Sequence, residues 1–203
     1  MQAETEAIVC SLRTHGEHGA VVRMLAPEIG LVAAYVRGGR GRRMRPVLIP
    51  GNLVSVQLRS RTEAQLPQAT VELSRSRAAL LNEPLAAAAI EWTTALVTAA
   101  LPERQPYPRV YDGFAGLLDA IEAAPSAKGW SSGLATFERL LLVELGYGQI
   151  DSTSQESKEG WAELLTALYR SGDRLFRDAL PEKSASLHDS RERLLSRLRR
   201  LAL

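Results

Sequence analysis

Five arginines lie within nine consecutive positions of this chain, in the segment VRGGRGRRMRP that starts at Val36 and ends at Pro46. The segment also holds three glycines and no acidic residue. Each guanidinium donates a forked pair of hydrogen bonds that suits a phosphate, and the glycines let the backbone conform to successive phosphates. The segment is therefore a candidate polyanion contact. Its arginines are Arg37, Arg40, Arg42, Arg43 and Arg45.

Binding through this segment would be strongly salt-dependent. If all five arginines met phosphates, the log–log slope of affinity against salt would be roughly −4 to −5 on duplex DNA and roughly −3 to −4 on a single strand. Tyr35 is the only Tyr, Trp or Phe in residues 1–76, so backbone electrostatics would dominate and sequence preference would be weak. The alternative is a solvated basic loop that only keeps the protein soluble.

Other chemistry finds little support. The GGRG stretch is not a nucleotide P-loop, because that motif needs a Gly-Lys pair and the chain has none. His15 and His18 flank Glu17 in THGEHG but lack a third strong ligand, so a polar turn is favoured over a metal site. The single cysteine, Cys10, alternates with apolar residues and is predicted to be buried and inert. We expect no catalytic residues, no metal and no cofactor.

The chain shows no sign of a membrane segment. Its longest apolar stretch, LAAAAIEW, is too short and too Ala-rich to cross a bilayer, and the N-terminus lacks the pattern of a signal peptide. A lone cysteine fits a reducing compartment. We expect a soluble, cytoplasmic protein.

The first third of the chain carries the positive surplus and reads as strands. Residues 1–76 hold ten Arg and six Glu, whereas residues 77–203 hold 15 Lys and Arg against 17 Asp and Glu. Five short runs with two-residue alternation predict five strands of a small barrel or sandwich. In the first run, Ile8, Cys10 and Leu12 are predicted to share a buried face. The arginine segment then joins the third and fourth strands.

From about Arg75 onward the spacing becomes helical. Pro84 is predicted in the first turn of a helix capped by Asn82, and the last helix is predicted to be capped by Asp189 or Ser190. QIDSTSQESKEG is predicted to be a polar loop. The five arginines of the last helix are interpreted as a solvated face on a packed helix, with a second nucleic-acid or partner contact as the alternative. The class is α+β, with a barrel domain at 1–76 and a helical domain at 77–203.

The order of these pieces resembles the RecO family of bacterial recombination mediators. APEIGLVAAYVRGGRGRR is similar to the family's turn, glycine, strand and basic segment, and PVLIPGNLVSV to its Leu-x-Pro and following strand. FERLLLVELGYG resembles the family's signature helix, Phe-Glu-x-x-Leu-Leu-x-x-Leu-Gly-Tyr/Phe-Gly. SRERLLSRL resembles its C-terminal Ser-Arg helix.

The resemblance implies an OB-fold N-terminal barrel, an all-α second domain and a non-enzymatic role in the RecF pathway of DNA repair and recombination. It implies binding of single- and double-stranded DNA, annealing of complementary strands, and contact with the C-terminal tail of single-strand-binding protein. With RecR, such a protein assists RecA loading; no membrane is involved. It also implies that the five loop arginines contact DNA, with Arg13, Arg23 and Arg59 as further candidates on the barrel face.

The sequence departs from the family pattern in two places. Many relatives carry a four-cysteine zinc site after the signature helix, where this chain has QIDSTSQESKEGW and no cysteine, so zinc is not expected. Ala135 and Thr136 stand where a basic pair would be expected beside the pocket for the single-strand-binding protein's tail. Two other functions stay open: an RNA- or translation-associated OB protein using the same loop, and a protein–protein adaptor whose basic loop is inert.

Overall fold

A computed structural model describes residues 2–62, 64–124, 126–148, 160–180 and 185–201. Its N-terminal part is a closed barrel of five strands: β1 Gln2–His15, β2 Gly19–Ala26, β3 Gly30–Val36, β4 Leu53–Arg59 and β5 Gln68–Arg75. Their order is β1-β2-β3-β5-β4, with β4 pairing back onto β1. All pairings are antiparallel except a single parallel pair between β3 and β5. The predicted OB-like barrel is confirmed.

The barrel interior is filled by apolar side chains, most of them Ala or Val, that alternate with outward residues along each strand. Small β-branched residues suit this position, because a five-stranded barrel leaves room for side chains but not for a channel. The inward set includes Val9, Val22, Met24, Val32, Val54, Val56, Leu58 and Val71.

A bulge in β1 changes which residues share a face. The pairing of β1 with β2 shifts between Val9 and Ser11, and beyond the shift Leu12 lies opposite Val22. Residues opposite each other on paired strands share a face, and Val22 points into the barrel, so Leu12 does not share the outward face of Cys10. Leu12 is also 41% exposed. The prediction of a common face through Leu12 was therefore wrong, because a bulge inserts one residue and reverses the alternation.

Five α-helices follow the barrel in the part of the chain that the structure describes. Pro84 is the first residue of its helix, as predicted, but the cap position is Glu83 and not Asn82. The last helix begins at Ala185, so Asp189 and Ser190 lie inside it and do not cap it. The predicted polar loop falls outside the described residues except for Gly160. The helices are α1 Pro84–Ala100, α2 Pro108–Ala123, α3 Ser131–Glu144, α4 Trp161–Arg174 and α5 Ala185–Arg199.

The helices bury a second core that also covers part of the outer wall of the barrel. Phe114 of α2 stacks on Phe137 of α3 at a centroid distance of 5.5 Å. Ile8 and Cys10 of β1 belong to the same apolar cluster, together with Leu25 and Leu31. Because these strand residues point out of the barrel, the barrel wall packs directly on the helices. No helix in the described part of the chain combines the length and the hydropathy that a bilayer span requires.

A buried carboxylate ties four helices together. Glu138 of α3 is fully buried and accepts hydrogen bonds from Trp92 Nε1 of α1 at 2.7 Å and from the hydroxyl of Ser171 of α4. Arg191 of α5 donates to both of its carboxylate oxygens and lies 4.8 Å from the centroid of the Trp92 ring. A buried ion pair needs such additional partners to offset desolvation.

Candidate nucleic-acid interface

We call the link between β3 and β4 (residues 37–52) the connector; it holds the five arginines and is a series of backbone turns. Gly39 N donates to Val36 O at 3.2 Å, and Gly41 N donates to Gly38 O at 2.8 Å. Gly38 has a φ of 69°, a left-handed conformation that favours glycine. Leu48 N then donates to Met44 O at 3.0 Å. The connector is thus a folded element with hydrogen bonds within its own backbone.

The second half of the connector closes one end of the barrel. Leu48 is buried in the barrel core, and Met44 and Val47 pack against it. The amide of the buried Asn52 donates to Pro46 O at 2.8 Å and to Val47 O at 3.1 Å. The apolar side chains therefore face inward while the arginines lie on the outside.

All five arginines of the connector are exposed. Arg40 donates to the carbonyl oxygens of Gly16 at 3.4 Å and Glu17 at 3.1 Å, which anchors the connector on the β1–β2 hairpin. Arg45 Nε donates to Arg40 O at 3.1 Å. Within the described residues none of the five has an acidic partner within 4.0 Å. Their charges are therefore not neutralised by the protein.

In three of these arginines, no N–H group of the side chain is used in a hydrogen bond within the described structure. In the described structure, the side chains of Arg37, Arg42 and Arg43 make neither a hydrogen bond nor an ion pair. Arg40 and Arg45 hold the connector in shape and remain charged. The connector thus presents two anchoring cations and three unengaged ones.

The strand pairings place Arg13 and Arg59 in one row around the outside of the barrel. Arg13 lies opposite Val21, Val21 opposite Tyr35, Tyr35 opposite Gln68, and Gln68 opposite Arg59. We call these five residues the outer row. They point outward because the residues beside them in sequence, such as Val22 and Val36, point into the barrel.

Arg23 differs from the other candidates because it has an acidic partner. Its guanidinium pairs with Glu103 at 2.9 Å, with both side chains about equally exposed. Arg13 and Arg59 are exposed, and neither has an ion pair among the described residues. The pair with Glu103 joins residues far apart in the chain, so no local pattern could have revealed it.

The other groups considered from the sequence offer no reactive site. Burial raises the pKa of the Cys10 thiol from 9.0 to about 12, opposed by a hydrogen bond from the Leu25 backbone. The predicted burial of this thiol is confirmed, and it stays protonated at neutral pH. His15 and His18 are exposed on the β1–β2 hairpin, and the described residues contain no group of three His, Cys, Asp or Glu side chains that could hold a metal ion.

One motif was missed at the sequence level. GWSSG at residues 129–133 has the Gly-x-Ser-x-Gly spacing of a nucleophile elbow, in which a serine sits on a strand-to-helix turn. Ser131 instead follows the 3₁₀ turn Ala127–Gly129, starts α3 and is fully buried. The spacing is present without the strand or the exposed hydroxyl that the chemistry needs.

The arginines of α5 are largely engaged within the protein. Arg191 is buried on Glu138, Arg193 pairs with Glu91, and Arg197 donates to the carbonyl oxygen of Pro84. Arg199 lies over the ring of Tyr169 at 4.9 Å. These contacts favour the interpretation of a packed helix over that of a second nucleic-acid contact.

The signature helix α3 uses its aromatic residue for packing. Phe137 is buried in the helical core, while Ala135 is half-buried and Thr136 is exposed. Neither of the two positions before Phe137 supplies a cation.

A closed five-stranded barrel with this strand order, joined to helices, defines an OB-like protein, and its connector presents cations that have no acidic partner among the described residues. Family models described as "Recombination protein O N terminal" and "Recombination protein O C terminal" match residues 1–77 and 81–198. The chain therefore belongs to the Recombination protein O family.

Individual relatives agree with this assignment. The chain is 41% identical over 154 residues to a protein of Paracoccus denitrificans (strain Pd 1222) named "DNA repair protein RecO", a match covering 76% of this chain and 62% of the relative. Proteins of the same name from Caulobacter vibrioides (strain NA1000 / CB15N) and Rhodospirillum centenum (strain ATCC 51521 / SW) are 36% and 42% identical. Those matches cover 88% and 73% of this chain, and 72% and 58% of the relatives.

Proposed function

We propose that this chain is a DNA-binding mediator of recombinational repair that binds single- and double-stranded DNA and anneals complementary strands. The observation that carries the proposal is the connector, whose arginines are exposed and unneutralised on an OB-like barrel. The family of the chain and the printed names of its relatives support DNA as the polyanion.

The proposed mechanism is charge neutralisation without bond-breaking chemistry. Two DNA strands repel each other until their phosphates are screened, and a cationic surface holds both close enough to pair. If only Arg37, Arg42 and Arg43 meet phosphates, the salt slope on a single strand is roughly −2, against roughly −3.5 if all five do. The measured salt slope therefore indicates how many of these arginines contact phosphates.

We also propose a division of labour along the chain. Residues 1–76 would bind DNA, and residues 77–203 would contact protein partners in the cytoplasm. Those partners are RecR and the C-terminal tail of single-strand-binding protein, and through them the chain would assist RecA loading. Because the matches cover less than two thirds of two of the three relatives, these partners are part of the proposal and do not follow from the matches.

The first prediction concerns the three unengaged arginines. The variant Arg37→Ala/Arg42→Ala/Arg43→Ala is expected to bind single-stranded DNA more weakly, with a salt slope shallower by about 2. The measurement is fluorescence anisotropy of a labelled oligonucleotide across a salt titration. RNA of the same sequence and duplex DNA are measured in parallel.

The chain offers a matched control. Arg193→Ala/Arg199→Ala/Arg200→Ala removes the same charge from exposed positions of the helical part and is expected to leave the slope unchanged. Equal affinities and slopes for the connector variant and wild type would instead support the adaptor function. Binding to RNA alone would support the RNA-associated function.

A further inference from the structure

We propose that Tyr35 is a stacking platform for one base of a single strand that crosses the barrel between Arg13 and Arg59. This inference rests on the proposed DNA binding and adds to it a second contact of a different kind. The arginines of the connector would neutralise phosphates, whereas Tyr35 would stack on an unpaired base.

Tyr35 lies at the centre of the outer row. Two strand pairings separate it from Arg13, and two separate it from Arg59. Neighbouring strands are about 4.8 Å apart, so the row spans about 19 Å along the sheet surface. That length suits a strand segment of a few nucleotides, in keeping with the smallest site sizes of OB barrels. A cation therefore stands at each end of the row with an aromatic ring between them.

The ring of Tyr35 is held in place before any ligand arrives. A Cβ atom at Gly19 would lie 2.3 Å from Tyr35 Cε2 and 2.4 Å from its hydroxyl oxygen, so the ring occupies the space that any side chain at position 19 would fill. His15 approaches the ring edge-on, with centroids 5.9 Å apart. A fixed ring stacks on a base with little loss of conformational entropy.

The side chain keeps part of its surface free. Tyr35 is half-buried, and its hydroxyl has no hydrogen-bond partner among the described residues. Arg37 follows two positions later, exposed and unengaged, where it can hold the phosphate next to a stacked base. Val21 and Gln68, on either side of Tyr35 in the outer row, carry no charge that would oppose a nucleic-acid strand.

A purely structural role for Tyr35 is the competing explanation, since an aromatic ring over a cross-strand glycine supports a hairpin. The two roles differ in what they predict for duplex DNA. Bases in a duplex are already stacked and cannot lie on a side chain, so a stacking residue affects single strands only. A structural residue would weaken binding to both forms alike.

The test compares Tyr35→Leu, which removes the aromatic face, with Tyr35→Phe, which keeps it. Tyr35→Leu is expected to weaken binding of an oligo-dT single strand about tenfold, within the range of one base stack, without changing the salt slope. Its affinity for duplex DNA is expected to stay at the wild-type value, and Tyr35→Phe is expected to bind both forms normally. Tyr147→Leu, at an exposed tyrosine after α3, is the matched control.

A second measurement requires no variant. Irradiation of wild-type protein with an oligonucleotide carrying 5-iododeoxyuridine is expected to yield a crosslink at Tyr35, located by mass spectrometry. Crosslinks elsewhere, or equal losses on single-stranded and duplex DNA for Tyr35→Leu, would overturn the stacking role. The proposed DNA binding fails separately, if the connector variant binds as wild type does.

Discussion

At the scale of single residues, Cys10 shows how burial decides chemistry. The thiol is 2% exposed, sits on the outer wall of the barrel and packs among residues of the helical core. Burial raises its pKa to about 12 because an apolar surrounding penalises the thiolate. The same thiol in the unfolded chain ionises near its ordinary value of 9.0. The folded state therefore prefers the protonated form.

This difference predicts a pH-dependent loss of stability. The folded pKa is raised, so the contribution of Cys10 is fully present below pH 9.0 and is lost as the pH rises from there toward about 12. Each pH unit in that window costs about 1.4 kcal/mol. Urea unfolding on both sides of pH 9.0 should show a smaller loss for Cys10→Ala than for wild type. Parallel pH profiles for the two proteins would contradict the prediction.

At the scale of elements, α3 carries one buried carboxylate that joins three other helices. Its Glu138 receives donors from α1, α4 and α5, and Gly172 of α4 leaves the space that the Arg191 guanidinium occupies. A Cβ at Gly172 would lie 2.3 Å from Arg191 Nε. The Phe-Glu pair of the signature segment thus has a structural explanation: one residue packs in the core and the next orients three neighbouring helices.

Removing the charge of Glu138 is expected to be strongly destabilising. Glu138→Gln leaves the Arg191 guanidinium buried without a counter-charge, which costs about 3 to 5 kcal/mol of the free energy of unfolding. Glu144→Gln, which breaks an ion pair with the exposed Arg109, is the control and should cost less than about 1 kcal/mol. Chemical denaturation followed by tryptophan fluorescence measures both. Equal stability of the two variants would contradict the role assigned to Glu138.

The sequence predicted the elements better than the contacts between them. Alternation and turn residues predict all five strands, the position of the connector between β3 and β4, and the start of α1 at Pro84, because these depend on neighbouring residues. The bulge that turns Leu12 away from Cys10 and the pairing of Arg23 with Glu103 depend on residues distant in the chain. The outer row is likewise invisible until the barrel closes, since it is assembled from five different strands.

At the scale of the whole molecule, Arg77 joins the barrel to the helices. Its side chain is 3% exposed, donates to Gly51 O at 2.8 Å and pairs with Asp119 and Glu122 of α2. Its backbone nitrogen donates to the Asn52 side chain at 2.8 Å, and the same Asn52 holds the end of the connector. One residue therefore links α2, the barrel and the connector.

Arg77→Ala is expected to loosen that junction. The loss leaves the Gly51 carbonyl unpaired and should cost about 2 to 3 kcal/mol. Since Cys10 is buried between barrel and helices, its reaction with a thiol reagent should also become faster. Arg75→Ala is the control: Arg75 contacts the same two acids but is 46% exposed, so the effect should be below about 1 kcal/mol. Unchanged labelling of Cys10 in Arg77→Ala would contradict the assignment.

The connector closes one end of the barrel, and this limits which changes of sequence the segment can accept. The side chains of Met44, Val47 and Leu48 close one end of the barrel, and the Asn52 side chain holds the backbone of this segment by hydrogen bonds. Inserting or deleting a residue there would displace these apolar side chains from the barrel core, whereas exchanging one outward cation for another leaves their packing intact. The charge that the connector presents can therefore change one side chain at a time without a change of fold, whereas the number of residues in the connector is constrained by the packing of its apolar side chains.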